Sequence, residues 1–225
     1  MAEQGTLPDD ADTDGKAIDA GLAKLRAEIS AYRGKHGKLY RGSFDGAPVV
    51  PRAELLSDCR VLHDRHDIVA RLPQGGVFAE LGTMFGNFAA KVLELYRPSE
   101  LHLFDFGFNN LTGANRAALE ASGKVRFHVG DSSSKLAEMP DGYFDVVYVD
   151  ADHSYAGVCK DLQQALKKTK PGGYIVCNDY TNFDPIQMVP YGVYSAVNRF
   201  ANDNNLQFVF IALSAWGFHD VALRR

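Results

Sequence analysis

The feature that most constrains the fold is a regular alternation between short apolar runs and helical stretches, which begins near residue 77. The runs are almost continuously apolar, as is typical of strands buried on both faces of a parallel sheet. Five runs precede the C-terminal region, at 77–81, 101–106, 125–131, 144–150 and 173–180. Helical patterns separate them, near 86–96, 113–122, 132–138 and 156–169. The alternation predicts an α/β fold with helices on both faces of the sheet.

The C-terminal region departs from this alternation. A helical pattern near 191–204 leads into "LQFVFIAL" (206–213), and the short turn "SAWG" leads into "FHDVALRR" (218–225). Two strands joined by so short a turn pair antiparallel, since a parallel pair needs a long crossover. Together with the five earlier runs, this predicts a seven-stranded, mostly parallel sheet with an antiparallel terminal hairpin.

The N-terminal quarter of the chain has another character. Residues 1–15 are polar and acidic and predict a disordered N-terminus. Residues 16–57 begin with apolar residues at helical spacing and continue into a connector rich in Gly and Pro, interpreted as a helical extension and a connector or lid. A further helix is predicted from about Ser57 to Leu72, with Ser57 as its N-cap. The main domain is expected to span residues 58–225.

Composition excludes several classes of partner. The net charge is −4 and no block of Lys and Arg stands out, which argues against a nucleic-acid partner. No apolar run reaches the roughly 18 residues that span a bilayer, so no membrane association is expected. Three scattered cysteines form neither a disulfide framework nor a metal knuckle and favour a reducing, cytoplasmic location. The sequence leaves the oligomeric state open, a homo-oligomer included.

Polar residues follow the first predicted strand, in "AELGTMFGNF" (79–88). In open α/β sheets, ligands bind outside the carboxyl ends of the strands, where the strand order reverses. Glycines at such a place let the backbone turn tightly and approach a ligand, although the stretch by itself also suits a simple strand-to-helix turn. The spacing E-x-G-x-x-x-G is neither the G-x-G-x-x-G fingerprint nor a P-loop. The candidate ligand-binding residues here are Glu80, Gly82, Thr83, Gly86 and Asn87.

The second and third strands also end in polar residues. Asp105 ends the second strand, where a carboxylate can accept both hydroxyls of a ribose. Asp131 and Ser132 follow the third, where an Asp can accept a hydrogen bond from an exocyclic amine such as that of adenine. Each has a simpler interpretation, Asp105 as a solvated loop residue and Asp131 as the N-cap of the next helix.

The fourth and fifth strands end in the densest groups of polar residues. The fourth runs through "VYVDADHSYAGV" (147–158) into Asp150 and His153, and the fifth ends in Asn178 and Asp179. A polar turn where a strand reaches water would explain any single one of them. Five consecutive strand ends with ligand-binding side chains instead indicate a binding site along one edge of the sheet.

The motifs together resemble class I S-adenosylmethionine-dependent methyltransferases, over about residues 60–225. Three stretches resemble, within that group, the small bacterial O-methyltransferases that include sugar O-methyltransferases of natural-product pathways: "VYVDADHSYAGVCKDL", "KPGGYIVCNDYT" and "YGVYSAV". The resemblance implies a Rossmann-like fold. It also implies an enzyme that moves a methyl group from S-adenosylmethionine to a hydroxyl of a small molecule, with sugars among the candidate acceptors.

The resemblance assigns the cofactor contacts to the strand ends. The loop from Glu80 to Asn87 is expected to shape the pocket for the methionine part and the ribose. Asp105 is expected to hold the ribose hydroxyls, and Asp131 and Ser132 to face the adenine. Asp150 is expected beside the reactive methyl group.

The predicted catalytic residues are His153 and Asp150. Some sugar methyltransferases of this branch place their base three residues after the acid, and an imidazole with a reference pKa of about 6.5 accepts a proton near neutral pH. In metal-dependent relatives the equivalent positions bind magnesium, so the resemblance predicts Mg²⁺ at Asp150, Asn178 and Asp179. Asn178 stands where many relatives carry an acid, which leaves less negative charge for a cation.

Two alternative functions remain open at this point, and one candidate metal cluster is set aside. N-methyl or aminopropyl transfer on the same scaffold would need neither a metal nor a strong base. A nucleotide-binding module without catalysis would share the cofactor loop. The stretch "HDRH" (63–66) has metal-binding residue types but is interpreted as a solvated or lid-facing part of the predicted helix.

Overall fold

A computed structural model describes residues 11–36, 49–187 and 189–225, and the chain divides into two compact units, Met1–Gly46 and Ala47–Arg225. In the first unit, helix α1 (Ala11–His36) begins inside the segment that the sequence predicts to be disordered. The expectation of disorder for residues 1–15 stays a prediction, and residues 1–10 lie outside the described residues. Most of the predicted connector, residues 37–48, also lies outside them.

The second unit is built on an eight-stranded sheet, with one further two-stranded sheet. In chain order the strands are β1 (Arg60–Leu62), β2 (Val77–Leu81), β3 (Glu100–Asp105), β4 (Val125–Val129), β5 (Phe144–Val149), β6 (Thr169–Cys177), β7 (Phe183–Asp184), β8 (Val189–Pro190), β9 (Gln207–Ala212) and β10 (Asp220–Arg224). The helices are α2 (Arg65–Arg71), α3 (Asn87–Leu95), α4 (Gly113–Ala121), α5 (Ser132–Ala137), α6 (Tyr155–Lys168) and α7 (Val193–Asn204).

The strand order of the large sheet is β1-β9-β10-β6-β5-β2-β3-β4. Strand β10 runs antiparallel to both β6 and β9, while the other pairs are parallel. The seven predicted strands and the antiparallel terminal hairpin are confirmed. The chain reverses its direction of progress between β2 and β5, which places the switch point of the sheet at their carboxyl ends.

The predicted helix over 57–72 is wrong in its first half. A 3-10 helix occupies Ala53–Leu56, strand β1 follows, and α2 begins only at Arg65. The N-cap is Asp64, whose carboxylate accepts a hydrogen bond from the Asp67 N–H at 3.0 Å. Strand β1 has three residues, which are too few to show a strand pattern in the sequence. It lies at the edge of the sheet and is held there by its pairing with β9.

Core side chains cover both faces of the sheet. Along β5, Val147 and Val149 belong to one buried cluster and Val146 and Tyr148 to the other, as alternation along a strand requires. Helices α5, α6 and α7 contribute to the first cluster and α2, α3 and α4 to the second. Because helices cover both faces of the sheet, the strand ends are held in place, and side chains at those ends have fixed positions. Across the described ranges, the structure has no helix with the length and apolarity needed to cross a membrane.

Candidate active site

A cavity of about 540 Å³ lies at the carboxyl ends of β2, β3, β4 and β5. Nine of the sequence-predicted residues line it: Glu80, Gly82, Thr83, Asn87, Asp105, Asp131, Ser132, Asp150 and His153. Two more, Asn178 and Asp179, line a second cavity of about 480 Å³. Arg65 is shared by the two linings, so the cavities adjoin. The tertiary structure thus brings together residues that are far apart in the sequence.

The glycine loop after β2 is pressed against the end of β5. Gly82 has a φ of 84°, and a Cβ built on it would lie 2.1 Å from the backbone oxygen of Asp150. No other residue type fits there, because the contact is with backbone. Gly86 is the N-cap of α3 with a φ of 75° and faces Leu111, outside the first cavity's lining. Its predicted role in cofactor binding stays a prediction.

Asp105 holds this loop in place. Its Oδ2 accepts hydrogen bonds from the N–H groups of Thr83 at 2.9 Å and Met84 at 3.1 Å, and its Oδ1 accepts one from Gly107 at 3.2 Å. The interpretation as a solvated loop residue is wrong, because the carboxylate is an organising centre of the site. Each carboxylate oxygen retains further acceptor capacity, so ribose binding by Asp105 stays a prediction.

Asp131 and Ser132 begin α5. Asp131 is the N-cap, and its Oδ1 accepts a hydrogen bond from the Ser134 N–H at 2.8 Å. It also lines the cavity, so its role as a helix cap does not exclude contact with a ligand. The Ser132 hydroxyl donates to Asp161 Oδ1 at 2.9 Å. Asp161 is 2% exposed, and burial raises its pKa to about 6. The predicted contacts of Asp131 and Ser132 with adenine stay predictions.

Glu80 places a buried carboxyl group in the wall of the first cavity. The residue is 1% exposed, and its Oε2 has no hydrogen-bond partner among the described residues. Burial, reinforced by the nearby Asp150, raises its pKa well above the ordinary value, although Arg65 opposes the shift. A buried oxygen without a partner is costly unless a ligand supplies a donor. This is the feature of the cavity that most directly points to a missing ligand.

His153 lies between two carboxylates. Its Nε2 is 3.4 Å from Asp150 Oδ1 and 3.5 Å from Asp179 Oδ2, and its ring stacks on Tyr191 at 4.5 Å with nearly parallel planes. Burial by itself would lower the pKa of His153, but the two carboxylates outweigh it and the pKa is raised. The neighbouring Asp152 accepts from the Ser154 N–H at 2.8 Å and so supports the start of α6 rather than the imidazole.

Asp179 is held in an unusual backbone conformation. Its φ is 50°, in the left-handed region that residues other than glycine rarely adopt. Burial, together with the charge of Asp150, raises its pKa to about 6. Strain of this kind at a cavity wall is typical of functional sites, where the surrounding structure compensates for it.

Arg65 is the principal site residue that sequence reasoning missed. It is the first residue of α2, and its Nη1 donates to Asn178 Oδ1 at 3.2 Å. The sequence interpretation of "HDRH" as solvated is therefore wrong for Arg65, which is partly buried in the walls of both cavities. A lone arginine 113 residues away from Asn178 carries no sequence signal of this contact.

The sequence predicts magnesium at Asp150, Asn178 and Asp179, and the structure allows that donor set to be tested. Asn178 Oδ1, the atom that would bind a hard cation, accepts hydrogen bonds from Arg65 and from the Tyr148 hydroxyl. Toward Asp150 the same side chain presents its Nδ2, a donor, at 2.8 Å. As arranged, these side chains do not fit a divalent cation, and magnesium binding stays a prediction.

Another acidic group lies at the start of α2. Among the described residues, a grouping of His, Cys, Asp or Glu whose ligand atoms all lie within 4.8 Å of one another consists of His63, Asp64 and Asp67. Asp64 already serves as the helix cap, and His63 is exposed, so the grouping is explained by the local structure.

Comparison with known proteins identifies the domain. Residues 79–180, just under half of the chain, match a family model described as a methyltransferase domain. A curated relative, a dimethylglycine N-methyltransferase from Parasynechococcus marenigrum (strain WH8102), is 27% identical over 130 residues, which cover 57% of this chain and 46% of that protein.

Two solved structures share the fold. The O-methyltransferase TomG from Streptomyces achromogenes, involved in tomaymycin synthesis and solved in complex with SAM, aligns with a TM-score of 0.53 at 22% identity, over 71% of this chain and 77% of that one. An O-methyltransferase family protein from Burkholderia thailandensis aligns with a TM-score of 0.51 at 18% identity, over 71% of this chain and 55% of that one.

This chain spans about half the length of the curated relative and of the Burkholderia protein. At these identities the structural likeness shows the fold alone. The match over residues 79–180 supports a methyltransferase of the class I, S-adenosylmethionine-dependent type, and the chain resembles small bacterial O-methyltransferases.

Proposed function

We propose that this protein transfers a methyl group from S-adenosylmethionine to a hydroxyl of a small molecule. The observation that carries the proposal is the position of His153, which lines the first cavity beside Asp150 and lies 3.5 Å from Asp179, a residue in the wall of the second. A base at that position is close both to a donor held in the first cavity and to an acceptor held in the second. The expectations of a cytoplasmic location and of no nucleic-acid or membrane partner stay predictions.

The first cavity has the chemistry to hold the cofactor. The unpartnered Oε2 of Glu80 calls for a donor, and the ammonium group and ribose hydroxyls of S-adenosylmethionine are donors. A cationic ligand also favours ionised Glu80, whose pKa is otherwise raised. Asp105 and Asp131 offer further acceptors along the same wall. When bound, the cofactor supplies an electrophilic methyl group on a sulfonium.

His153 would prepare the acceptor. An alcohol is a poor nucleophile while it keeps its proton, so an O-methyltransferase must position the hydroxyl and remove that proton. Asp150 and Asp179 raise the pKa of His153 against the effect of burial, which strengthens the neutral imidazole as a proton acceptor. The stacked Tyr191 fixes the plane of the ring. In this role His153 takes the hydroxyl proton, and the two carboxylates beside its Nε2 stabilise the resulting imidazolium.

The second cavity supports a polar acceptor of modest size. Its volume of about 480 Å³ suits a small molecule. The carboxyl groups of Asp64, Asp179 and Asp220 line it and can accept hydrogen bonds from hydroxyl groups. Leu213 and Phe218 give it an apolar side. Acidic acceptors next to an apolar surface favour a polyhydroxylated ring, and a sugar belongs to this class.

A second candidate function is methyl transfer to an amine. The carboxylates of Asp64 and Asp179 in the second cavity would attract a cationic amine, and the curated relative is named as an N-methyltransferase. The position of His153 favours the hydroxyl, because an amine that is already neutral has no need of a base. A panel that offers both acceptor types under the same conditions distinguishes the two.

The test begins with calorimetric titration of the full chain with S-adenosylhomocysteine, followed by a screen of sugars, phenols and amines with S-adenosylmethionine. We expect cofactor binding in the micromolar range and a methylated hydroxyl product. His153→Asn should lower the rate of hydroxyl methylation by about 10²- to 10⁴-fold, the usual contribution of a general base, with S-adenosylhomocysteine affinity unchanged.

His63→Asn is the matched control, because that histidine is exposed and 87% of its side-chain surface is accessible. It should leave both the affinity and the rate unchanged. No binding of S-adenosylhomocysteine would overturn the proposal, and a product methylated only at nitrogen, with full activity in His153→Asn, would replace it with the amine reaction.

A further inference from the structure

We propose that the guanidinium group of Arg65 occupies the electrostatic position that a divalent cation would take at this site, so that cofactor binding and methyl transfer are independent of metal. The inference rests on the proposed function, since it concerns the same reaction. Arg65 is a positioning residue in this scheme. It holds Asn178, and Asn178 holds the carboxylate of Asp150.

The orientation of the Asn178 amide is determined by its partners. Oδ1 faces two donors, the Arg65 guanidinium at 3.2 Å and the Tyr148 hydroxyl at 3.2 Å. Nδ2 faces an acceptor, Asp150 Oδ1, at 2.8 Å. A rotated amide would point its NH₂ group at a guanidinium and its oxygen at a carboxylate, losing the hydrogen bonds to Arg65 and Asp150. Asn178 is 6% exposed, so water does not replace them easily.

The guanidinium itself is fixed from several directions. It lies over the Phe88 ring at 5.2 Å, and Phe88 stacks on Tyr148 at 4.0 Å. The Tyr148 hydroxyl lies 2.5 Å from Asp220 Oδ2, so the ring bridges Asn178 and a second buried acid. An arginine held by an aromatic face and an amide oxygen is an ordered part of the wall, not a solvated side chain.

Arg65 supplies positive charge to this network without a metal ion. Burial raises the pKa of Asp220 to about 8, so this acid adds little negative charge at neutral pH. The guanidinium of Arg65 lies close enough to Asp150 and Asp179 to offset part of their negative charge. A divalent cation that reached Asn178 Oδ1 would lie beside the guanidinium, where like charges repel.

The experiment measures metal binding and cofactor binding separately on the full chain. After treatment with EDTA, Mn²⁺ binding is followed by electron paramagnetic resonance, and S-adenosylhomocysteine affinity by calorimetry with EDTA or with millimolar Mg²⁺. The variants are Arg65→Gln, which removes the charge, and Arg65→Lys, which keeps it. Arg71→Gln is the control, because Arg71 is an exposed arginine in the last turn of the same helix.

For the wild type we expect no site-specific Mn²⁺ binding and the same S-adenosylhomocysteine affinity in EDTA and in Mg²⁺. Arg65→Gln should raise Mn²⁺ affinity by about 10-fold or more, because removing one partner leaves the carboxylates uncompensated. Arg65→Lys and Arg71→Gln should keep the wild-type response. If Arg65 had a purely structural role, Arg65→Gln would not gain Mn²⁺ binding, and Arg65→Lys would not differ from Arg65→Gln in this respect.

Stoichiometric, micromolar Mn²⁺ binding by the wild type that is lost in Asp179→Asn would overturn the inference, as would cofactor binding that requires Mg²⁺. These wild-type results decide the matter even if Arg65→Gln fails to fold. A wild type that binds neither Mn²⁺ nor S-adenosylhomocysteine would contradict the proposed function, which separates that failure from a failure of the inference.

Discussion

The charged side chains at the two ends of the central sheet differ in whether they have hydrogen-bond partners. At the carboxyl ends of the strands, Glu80 has a buried oxygen without a partner among the described residues, and Asp179 is held at a φ of 50°. At the amino ends, charged side chains are paired: Asp145 accepts from the Val77 N–H at 2.7 Å and from Lys170 at 2.8 Å.

Further paired groups lie on β3, on β4 and just before β5. The Tyr143 hydroxyl donates to Glu100 Oε2 at 2.6 Å, His102 Nε2 lies 3.2 Å from the same oxygen, and His102 Nδ1 lies 3.0 Å from His128 Nε2. Each of these groups therefore has a partner. We infer from this difference that the paired groups near the amino ends of the strands stabilise the fold. The groups at the carboxyl ends are arranged for binding, because a ligand can supply the partners that they lack.

The largest expected effect comes from the glycine loop. Gly82→Ala combines a positive φ with a Cβ placed 2.1 Å from the Asp150 backbone oxygen, so we expect a loss of about 3 kcal/mol or more in the free energy of unfolding and loss of S-adenosylhomocysteine binding. Gly75→Ala is the matched control, because its φ of 83° is nearly the same but its Cβ meets open space. It should cost only about 1–2 kcal/mol. Equal costs in denaturant titrations would contradict the close approach.

The second effect concerns the unpartnered acid. Glu80→Gln removes the charge that a cationic ligand would meet, so S-adenosylhomocysteine affinity should fall by about 10- to 100-fold, as for the loss of a charge-assisted hydrogen bond. Stability should be unchanged or increased, because the neutral amide is easier to bury than a carboxylate. Glu94→Gln, on the exposed face of α3, serves as control. Unaltered affinity in Glu80→Gln by calorimetry would show that this acid does not contact the ligand.

The third prediction tests the opposite end. Asp145→Ala leaves the Val77 N–H without its acceptor and should lower the free energy of unfolding by about 1–3 kcal/mol. Lys170→Ala removes only the half-exposed partner and should cost less than about 1 kcal/mol. Neither variant should change S-adenosylhomocysteine affinity. A change in affinity would contradict the inference that the amino end of the sheet contributes to stability and not to ligand binding.

The smallest effect is a pH dependence of stability. Burial lowers the pKa of His102, and burial together with His102 lowers that of His128, below the ordinary value near 6.5. The unfolded chain therefore binds more protons as the pH falls through 6.5, so this contribution to stability is fully present above that pH and is lost below it. Each pKa unit of lowering corresponds to about 1.4 kcal/mol.

His102→Gln should flatten the dependence of the free energy of unfolding on pH between pH 7 and pH 5. The exposed His63→Gln should leave the slope as it is in the wild type. An unchanged slope in His102→Gln would mean that the buried histidine pair does not titrate in this range.

The sequence determined the strands, their alternation with helices and the glycine loop. Continuous apolar runs and helical spacing are local signals, and burial on both faces of the sheet enforces them. They also predicted that the strand-end residues lie along one edge of the sheet, because the carboxyl ends of parallel strands meet there, and nine of these residues line one cavity. Edge strand β1 was missed, since only its pairing with β9 makes it a strand.

Only the tertiary structure decided which groups the strand-end residues face. Asn178 has the residue type and position of a metal ligand, but its oxygen is taken by Arg65, which lies 113 positions earlier in the chain. Asp105 has the position of a ribose acceptor, yet it also holds the backbone of Thr83 and Met84. Hydrogen bonds between distant residues depend on how helices dock on the sheet, and no local pattern encodes that docking. The sequence therefore determined where the site lies. The packing of α2 decided that the guanidinium of Arg65 is the positive charge beside Asn178.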